Sequence, residues 1–165
     1  MPGKKPSQPK EVIFCYDEGL PPSIGEVLSD VGYAIVFPIK HTKDEDLIPY
    51  MGQRGLTWIT KDDRSKSEHE ALLTNANISV IWIRGLSHER KNRPGPISKH
   101  PSMENILLML ATKLDEITGI IAAANGPRYF LLYMRARKNR GLEILAVPYT
   151  NLRQVRDRLA GLSPR

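Results

Sequence analysis

In Val12-Ile13-Phe14-Cys15-Tyr16-Asp17-Glu18-Gly19-Leu20-Pro21-Pro22-Ser23, five apolar residues stop abruptly at two acids and a glycine, and a Pro-Pro-Ser group follows. A short apolar run with β-branched and aromatic residues reads as a buried strand, and Asp-Glu-Gly reads as the loop that ends it. Pro-Pro-Ser then opens a helix, because proline lacks only an N–H that the first helical turn leaves unbonded. Ile24, Val27, Leu28 and Val31 recur at helical spacing, and Gly32 closes the segment.

The alternation continues along the chain. Tyr33 to Phe37 is a second apolar run, ended by Pro38. Thr42-Lys43-Asp44-Glu45 fits the Thr-x-x-Glu capping box and predicts a helix carrying Leu47, Ile48 and Met51 that stops before Gly55. Leu56 to Thr60 predicts a third strand, ending in Lys61-Asp62-Asp63. Ser67-Glu68-His69-Glu70 is a second capping box before Ala71-Leu72-Leu73, and Ile78 to Ile83 predicts a fourth strand, ending at Arg84-Gly85. Strands separated by helices run parallel, so the expectation is an α/β fold: a three-layer α/β/α sandwich around a mostly parallel sheet. Such folds place ligands outside the carboxyl ends of their strands.

Residues 86–100 are rich in Pro, Gly, Ser, His and bases and read as a loop or linker. Pro101 to about Ala124 predicts a long helix with Ile106, Leu107, Leu110, Leu114, Ile117 and Ile121 on one face. Arg128 to Met134 and Leu142 to Val147 read as a hairpin around Lys138-Asn139-Arg140-Gly141, and Asn151 to Leu162 as a basic closing helix with Leu152, Val155 and Leu159 inward. The expected organisation is a flexible basic lead-in over residues 1–10, an α/β domain over 11–100, and a helix–hairpin–helix extension over 101–165 that packs on it.

Size and composition agree with this. The chain has 165 residues, 41% of them hydrophobic and 25% charged, which suits one soluble domain with a real core. No run approaches the ~18 apolar residues that cross a bilayer, and the polar, Pro-rich start lacks the apolar centre of a secretory signal. The lone cysteine, Cys15, sits in the first apolar run and reads as a buried reduced thiol, consistent with a cytoplasmic protein. The net charge of +6 is uneven: residues 1–90 hold 11 Lys and Arg against 13 Asp and Glu, and residues 91–165 hold 13 against 5. A basic surface beside an acidic pocket suits a polyanion held by its phosphates, and equally describes solvated helix faces.

Three acidic clusters follow three consecutive strands: Asp17 and Glu18; Asp44, Glu45 and Asp46; Asp62 and Asp63. In a parallel sheet all three meet at one edge. Carboxylates crowded there repel one another, and a divalent cation removes that cost. Oxygen ligands without Cys or His favour Mg²⁺ or Mn²⁺, which activates water and polarises a phosphoryl oxygen. Asp17 and Asp62 end apolar strands, where solvation alone requires no acid. Glu45, Asp44 and Asp46 also fit helix capping or the helix dipole, and Glu18 a solvated loop. His41, His69, His88 and His100 have no paired-ligand spacing and read as surface or loop residues, while Trp58 and Trp82 read as core. Tyr129, Tyr133 and Tyr149, interleaved with Arg128, Arg135, Arg137, Lys138 and Arg140, fit either RNA contact or strand packing with a basic outer face.

The ordered pieces Asp17-Glu18-Gly19-Leu20-Pro21-Pro22, Asp44-Glu45-Asp46-Leu47 and Thr60-Lys61-Asp62 resemble the PIN-like superfamily, in particular the short PIN-like branch of VapC-type toxins. The resemblance spans about residues 11–85, roughly half the chain. It implies an α/β/α ribonuclease dependent on Mg²⁺ or Mn²⁺, acting as the toxin of a toxin–antitoxin pair whose antitoxin partner covers the active site. It also implies Asp17, Asp44 and Asp62 as the metal-binding catalytic acids, with Glu18, Asp46, Asp63 and Thr60 in support. Lys61, Arg64, Arg128, Arg135, Arg137 and Lys138 are the expected RNA contacts, and a homodimer is left open. Many PIN-like chains carry a further Asp two positions after the aspartate of the third motif, where this chain has Arg64. That departure sustains the alternative of an inactive PIN-like module that binds RNA or protein. A phosphoacceptor receiver domain shares the acids but needs Lys-Pro after its last strand, where Arg84-Gly85 stands here.

Overall fold

The computed structural model describes residues 10–61, 69–88, 95–137 and 141–160. The strands are β1 (Phe14–Tyr16), β2 (Ile35–Val36), β3 (Thr57–Thr60), β4 (Val80–His88), β5 (Tyr129–Arg137) and β6 (Gly141–Tyr149). The helices among the described residues are α1 (Pro22–Asp30), α2 (Asp44–Arg54), α3 (Glu70–Ala76), α4 (Met103–Ala123) and α5 (Leu152–Leu159). One sheet in the order β2-β1-β3-β4-β5-β6 runs through the molecule, and every pairing is parallel except β5 with β6.

The period-2 alternation of the strands sends successive side chains into two separate cores. Cys15, Trp58, Val80, Trp82, Leu131 and Tyr133 point to one face and pack against Leu47, Ile48 and Met51 of α2, Leu73 of α3 and Leu152 and Val155 of α5. Phe14, Tyr16, Ile59, Ile81, Ile83, Phe130 and Leu132 point to the other, against Ile24 and Leu28 of α1 and the inward stripe of α4. The result is the expected three-layer α/β/α sandwich. No helix among the described residues is long and apolar enough to cross a membrane.

Several expectations are corrected. The Thr42 capping box does not form: α2 is entered through Lys43 without a side-chain cap, and the Thr42 hydroxyl donates backwards to the Ile39 carbonyl at 2.6 Å. A hydroxyl that finds a carbonyl within its own turn is no longer placed to cap. Ser67, the expected cap of the second box, lies outside the described residues, and His69 at the N-cap of α3 makes no side-chain cap. In α4, Met109 is buried while Leu107 is exposed.

The larger correction concerns residues 86–100. β4 does not end at Ile83 but continues, through a register irregularity after that residue, to His88. The predicted hairpin is present, yet its first strand also pairs with β4, so β5 and β6 are the fifth and sixth strands of the same sheet. Tyr129 and Tyr133 are buried at 3% exposure and Tyr149 at 8%, with Tyr129 stacked on Trp82, so packing is the role these tyrosines take.

Gly52 sets how closely α2 approaches α3: a Cβ there would lie 2.9 Å from the Ala76 Cβ and 3.0 Å from the Ala76 carbonyl oxygen. Neither atom can swing aside. Gly52→Val is therefore expected to lower the unfolding free energy by about 2 kcal/mol, despite valine's better helix propensity. Urea denaturation measures this, and an unchanged midpoint would show that the helices separate freely.

Candidate active site at the carboxyl edge of the sheet

Each parallel strand delivers its following residue to the same edge, and the polar groups collect there. Asp17 is the first residue beyond β1. Its backbone N–H donates to the Ile59 carbonyl at 3.0 Å, extending the β1–β3 ladder by one rung. Its Oδ2 accepts a 2.8 Å hydrogen bond from the hydroxyl of Thr60, which is fully buried at the end of β3. Main chain and side chain of Asp17 are thus both fixed by β3.

Asp44 arrives from the second strand's connection, as the first residue of α2. The loop between them is pinned by Glu18, whose Oε2 accepts from the backbone N–H of His41 at 2.9 Å. His41 adopts a left-handed conformation, with φ of +66°. Asp44 Oδ2 also lies 3.7 Å from Nε2 of His69, the residue before α3.

A cleft of about 410 Å³ opens at this edge, lined by Asp17, Glu18, Gly19, Asp44, Lys61, Lys99 and His100. Two of the three expected catalytic acids, Asp17 and Asp44, therefore share it with the supporting residue Glu18, and Thr60 lies beneath. Asp46 is exposed and does not line it. Asp62, Asp63, Arg64 and Lys138 lie outside the described residues, although Lys61, immediately before Asp62, lines the cleft. Arg135 and Arg137 are at the carboxyl end of β5, where both pair with Glu143 of β6, at 2.8 and 3.4 Å. Arg128 sits at the opposite edge of the sheet, where its backbone meets Ser79 and Val80 at the start of β4.

His69, Lys99 and His100 are the site residues that sequence patterns did not single out. Lys99 and His100 stand well beyond the end of β4 and reach this edge because residues 95–98 turn back along that strand. They were hidden by the true length of β4.

As a test of the donor set, Asp17 and Asp44 supply the hard oxygen ligands that Mg²⁺ or Mn²⁺ takes. Among the described residues no group of three His, Cys, Asp or Glu side chains stands ready to hold a metal. A full set of the expected kind requires Asp62.

The charge of Asp17 is felt by its neighbours. Burial, and secondarily the Asp17 carboxylate, pushes the Cys15 thiol from 9.0 up to about 12. Burial is also the main cause that lifts the Tyr16 hydroxyl from 10.0 to about 12; a backbone hydrogen bond opposes it and Asp17 adds to it. An inert, protonated thiol follows. No protein-family model, curated protein or solved structure matches this chain.

Both groups hold their protons to higher pH in the folded chain than in the unfolded one. Their contribution to stability is complete below about pH 9 and is lost as the pH rises towards 12. Urea midpoints at pH 7.5 and 10.5 should show this loss, and Asp17→Asn should make it shallower. A midpoint independent of pH over that range would contradict the assignment.

Proposed function

We propose that this chain is a metal-dependent endoribonuclease of the PIN-like kind, hydrolysing RNA phosphodiester bonds in the cleft at the carboxyl edge. One observation carries the reading: Asp17 from the end of β1 and Asp44 from the start of α2, 27 positions apart in sequence, line the same cleft beside Lys61. Two aspartates brought from separate elements to one wet edge repel each other unless a cation or a protonated partner lies between them. Asp17 and Asp44, joined by Asp62, would hold Mg²⁺ or Mn²⁺, which when bound lowers the pKa of water and offsets charge on the phosphoryl oxygens.

The chain's own residues account for the remaining requirements. The Thr60 hydroxyl fixes the rotation of the Asp17 carboxylate, and the His69 ring stands 3.7 Å from the Asp44 carboxylate. Lys61 lies at the cleft wall, where a phosphate oxygen can meet its ammonium. Hydrolysis forms a P–O bond to water and breaks the one to the leaving oxygen; an aspartate in the cleft is suited to take the water's proton, and the leaving oxygen takes one up from solvent.

A second reading, an RNA-binding module without cleavage, is favoured by Arg64 in place of an acid. The resemblance extends the first reading to a cytoplasmic toxin whose antitoxin covers this cleft.

Incubation of the purified chain with total RNA and Mn²⁺, with and without chelator, separates the two. The nuclease reading expects cleavage that the chelator stops. Asp17→Asn and Asp44→Asn should each cost more than the roughly 10–100-fold typical of an outer-sphere partner, and Thr60→Val should fall within that range. RNA binding with no metal-stimulated cleavage would establish the second reading instead.

A further inference from the structure

β4 is longer than β3. Thr60, the last residue of β3, stands opposite Trp82, so residues 83–88 run past the end of their neighbour. Beyond that point residues 95–98 lie along β4. The Gly85 N–H donates to the Ser98 carbonyl at 2.8 Å, the Ser98 N–H to the Leu86 carbonyl at 3.0 Å, and Ser87 forms an antiparallel bridge with Ile97. The strap runs back towards the edge where β3 ended, and its next two residues, Lys99 and His100, enter the cleft that holds Asp17 and Asp44.

This strap is held firmly. The Ser87 hydroxyl, 1% exposed, donates to the Gly95 carbonyl at 2.9 Å, and the Ser98 hydroxyl accepts from the Leu86 N–H at 2.7 Å. The same Gly95 carbonyl accepts from Arg158 of α5 at 3.3 Å. Arg158 is 5% exposed, with its guanidinium 5.4 Å above the Tyr133 ring. The approach is so close that a Cβ on Gly85 would meet the Ser98 Oγ at 2.0 Å, and one on Gly95 would meet the His88 carbonyl oxygen at 1.8 Å. Two glycines, a buried and an exposed hydroxyl hydrogen bond and a buried arginine thus converge on a segment whose exposed end is Lys99-His100. The anchoring fixes where that exposed end meets the cleft.

We propose that Lys99 and His100 form a phosphate-binding subsite for a single-stranded RNA backbone, facing the aspartates across the cleft and held in place by the strap. The inference rests on the ribonuclease reading and names the side of the cleft that engages substrate. Lys99 supplies a point charge to a phosphate oxygen and His100 a ring N–H. With Lys61 they place cationic and donor groups around a space whose other lining is Asp17, Glu18, Gly19 and Asp44. A polyanion is thereby drawn in by one set of residues and presented to the other. Arg158 is a positioning residue: it reaches the cleft only through the strap.

The test is binding of a fluorescent single-stranded RNA oligonucleotide in chelator, as a function of salt, alongside Mn²⁺-dependent cleavage of the same RNA. Removing one phosphate contact reduces the slope of log K against log salt by about 0.7 for a single strand. Lys99→Ala should show that reduction, Lys99→Arg should restore it, and His100→Ala should weaken binding without changing the melting temperature. Arg158→Met should raise KM more than it lowers kcat, because it loosens the strap and leaves the aspartates in place. Gly85→Val, with Lys99 and His100 intact but their strap displaced, should match Lys99→Ala in salt slope. If wild-type chain cleaves RNA and Lys99→Ala binds with an unchanged slope, the subsite is refuted and the nuclease stands. Should the wild type bind RNA through Lys99 yet never cleave it, the subsite stands and the nuclease falls. Cleavage by a wild type that does not bind RNA in chelator refutes the subsite alone, and absence of both binding and cleavage overturns both.

Discussion

Parallel pairing of β1 with β3 is the constraint from which the site follows. The ladder ends with the Asp17 N–H on the Ile59 carbonyl, and the next side chain of β3, the Thr60 hydroxyl, closes on the Asp17 carboxylate. A parallel ladder sends both strands out at the same edge, so an acid after the first and a polar residue at the end of the third are obliged to meet. Slipping the register by one residue would turn Asp17 to another face and put Cys15 and Tyr16, now in separate cores, on the wrong sides. The burial of Cys15 and Tyr16 on either side of the sheet therefore protects the geometry of the acid that follows them.

The second constraint is the unequal length of the strands. Because β4 outruns β3, the edge of β4 is left without a neighbour strand, and residues 95–98 occupy it. An unpaired strand edge leaves backbone donors and acceptors exposed, and covering it with a local strap is one way to satisfy them. Here the cover also has a consequence at the cleft, since its continuation brings a lysine and a histidine to the aspartates. Several bases of the C-terminal part are paired within the molecule. Arg135 and Arg137 meet Glu143, Arg156 meets Glu70, and Arg158 anchors the strap. The charge asymmetry of the sequence thus says less about an open RNA-binding face than its sum suggests.

The alternation of strands and helices was legible because each element carries its own period, as in Ile24, Leu28 and the apolar run before Asp17. Asp17 and Asp44 were legible through the strand-end rule, which requires only the order of elements. The position of Asp46 was not, because the two residues of helical rotation between it and Asp44 turn a side chain by about 200°. Thr42 misled for a different reason: the sequence of a capping box does not reveal that the hydroxyl has a nearer carbonyl at Ile39. The end of β4 was hidden because Arg84 and Gly85 resemble a terminus. Only the pairing with β5 on one side and Ser98 on the other shows the strand continuing. Lys99, His100 and His69 enter through such long-range pairings, which no local pattern records.

The central claim is that Asp17 and Asp44 share a divalent cation. Titrating Mn²⁺ into the purified chain, and following the loss of the free-ion signal by electron paramagnetic resonance, measures this without reference to any substrate. The account predicts saturable binding by the wild type that is lost in both Asp17→Asn and Asp44→Asn, with each variant remaining folded by circular dichroism. Equal Mn²⁺ binding by the wild type and both variants, or none by any of them, would contradict it.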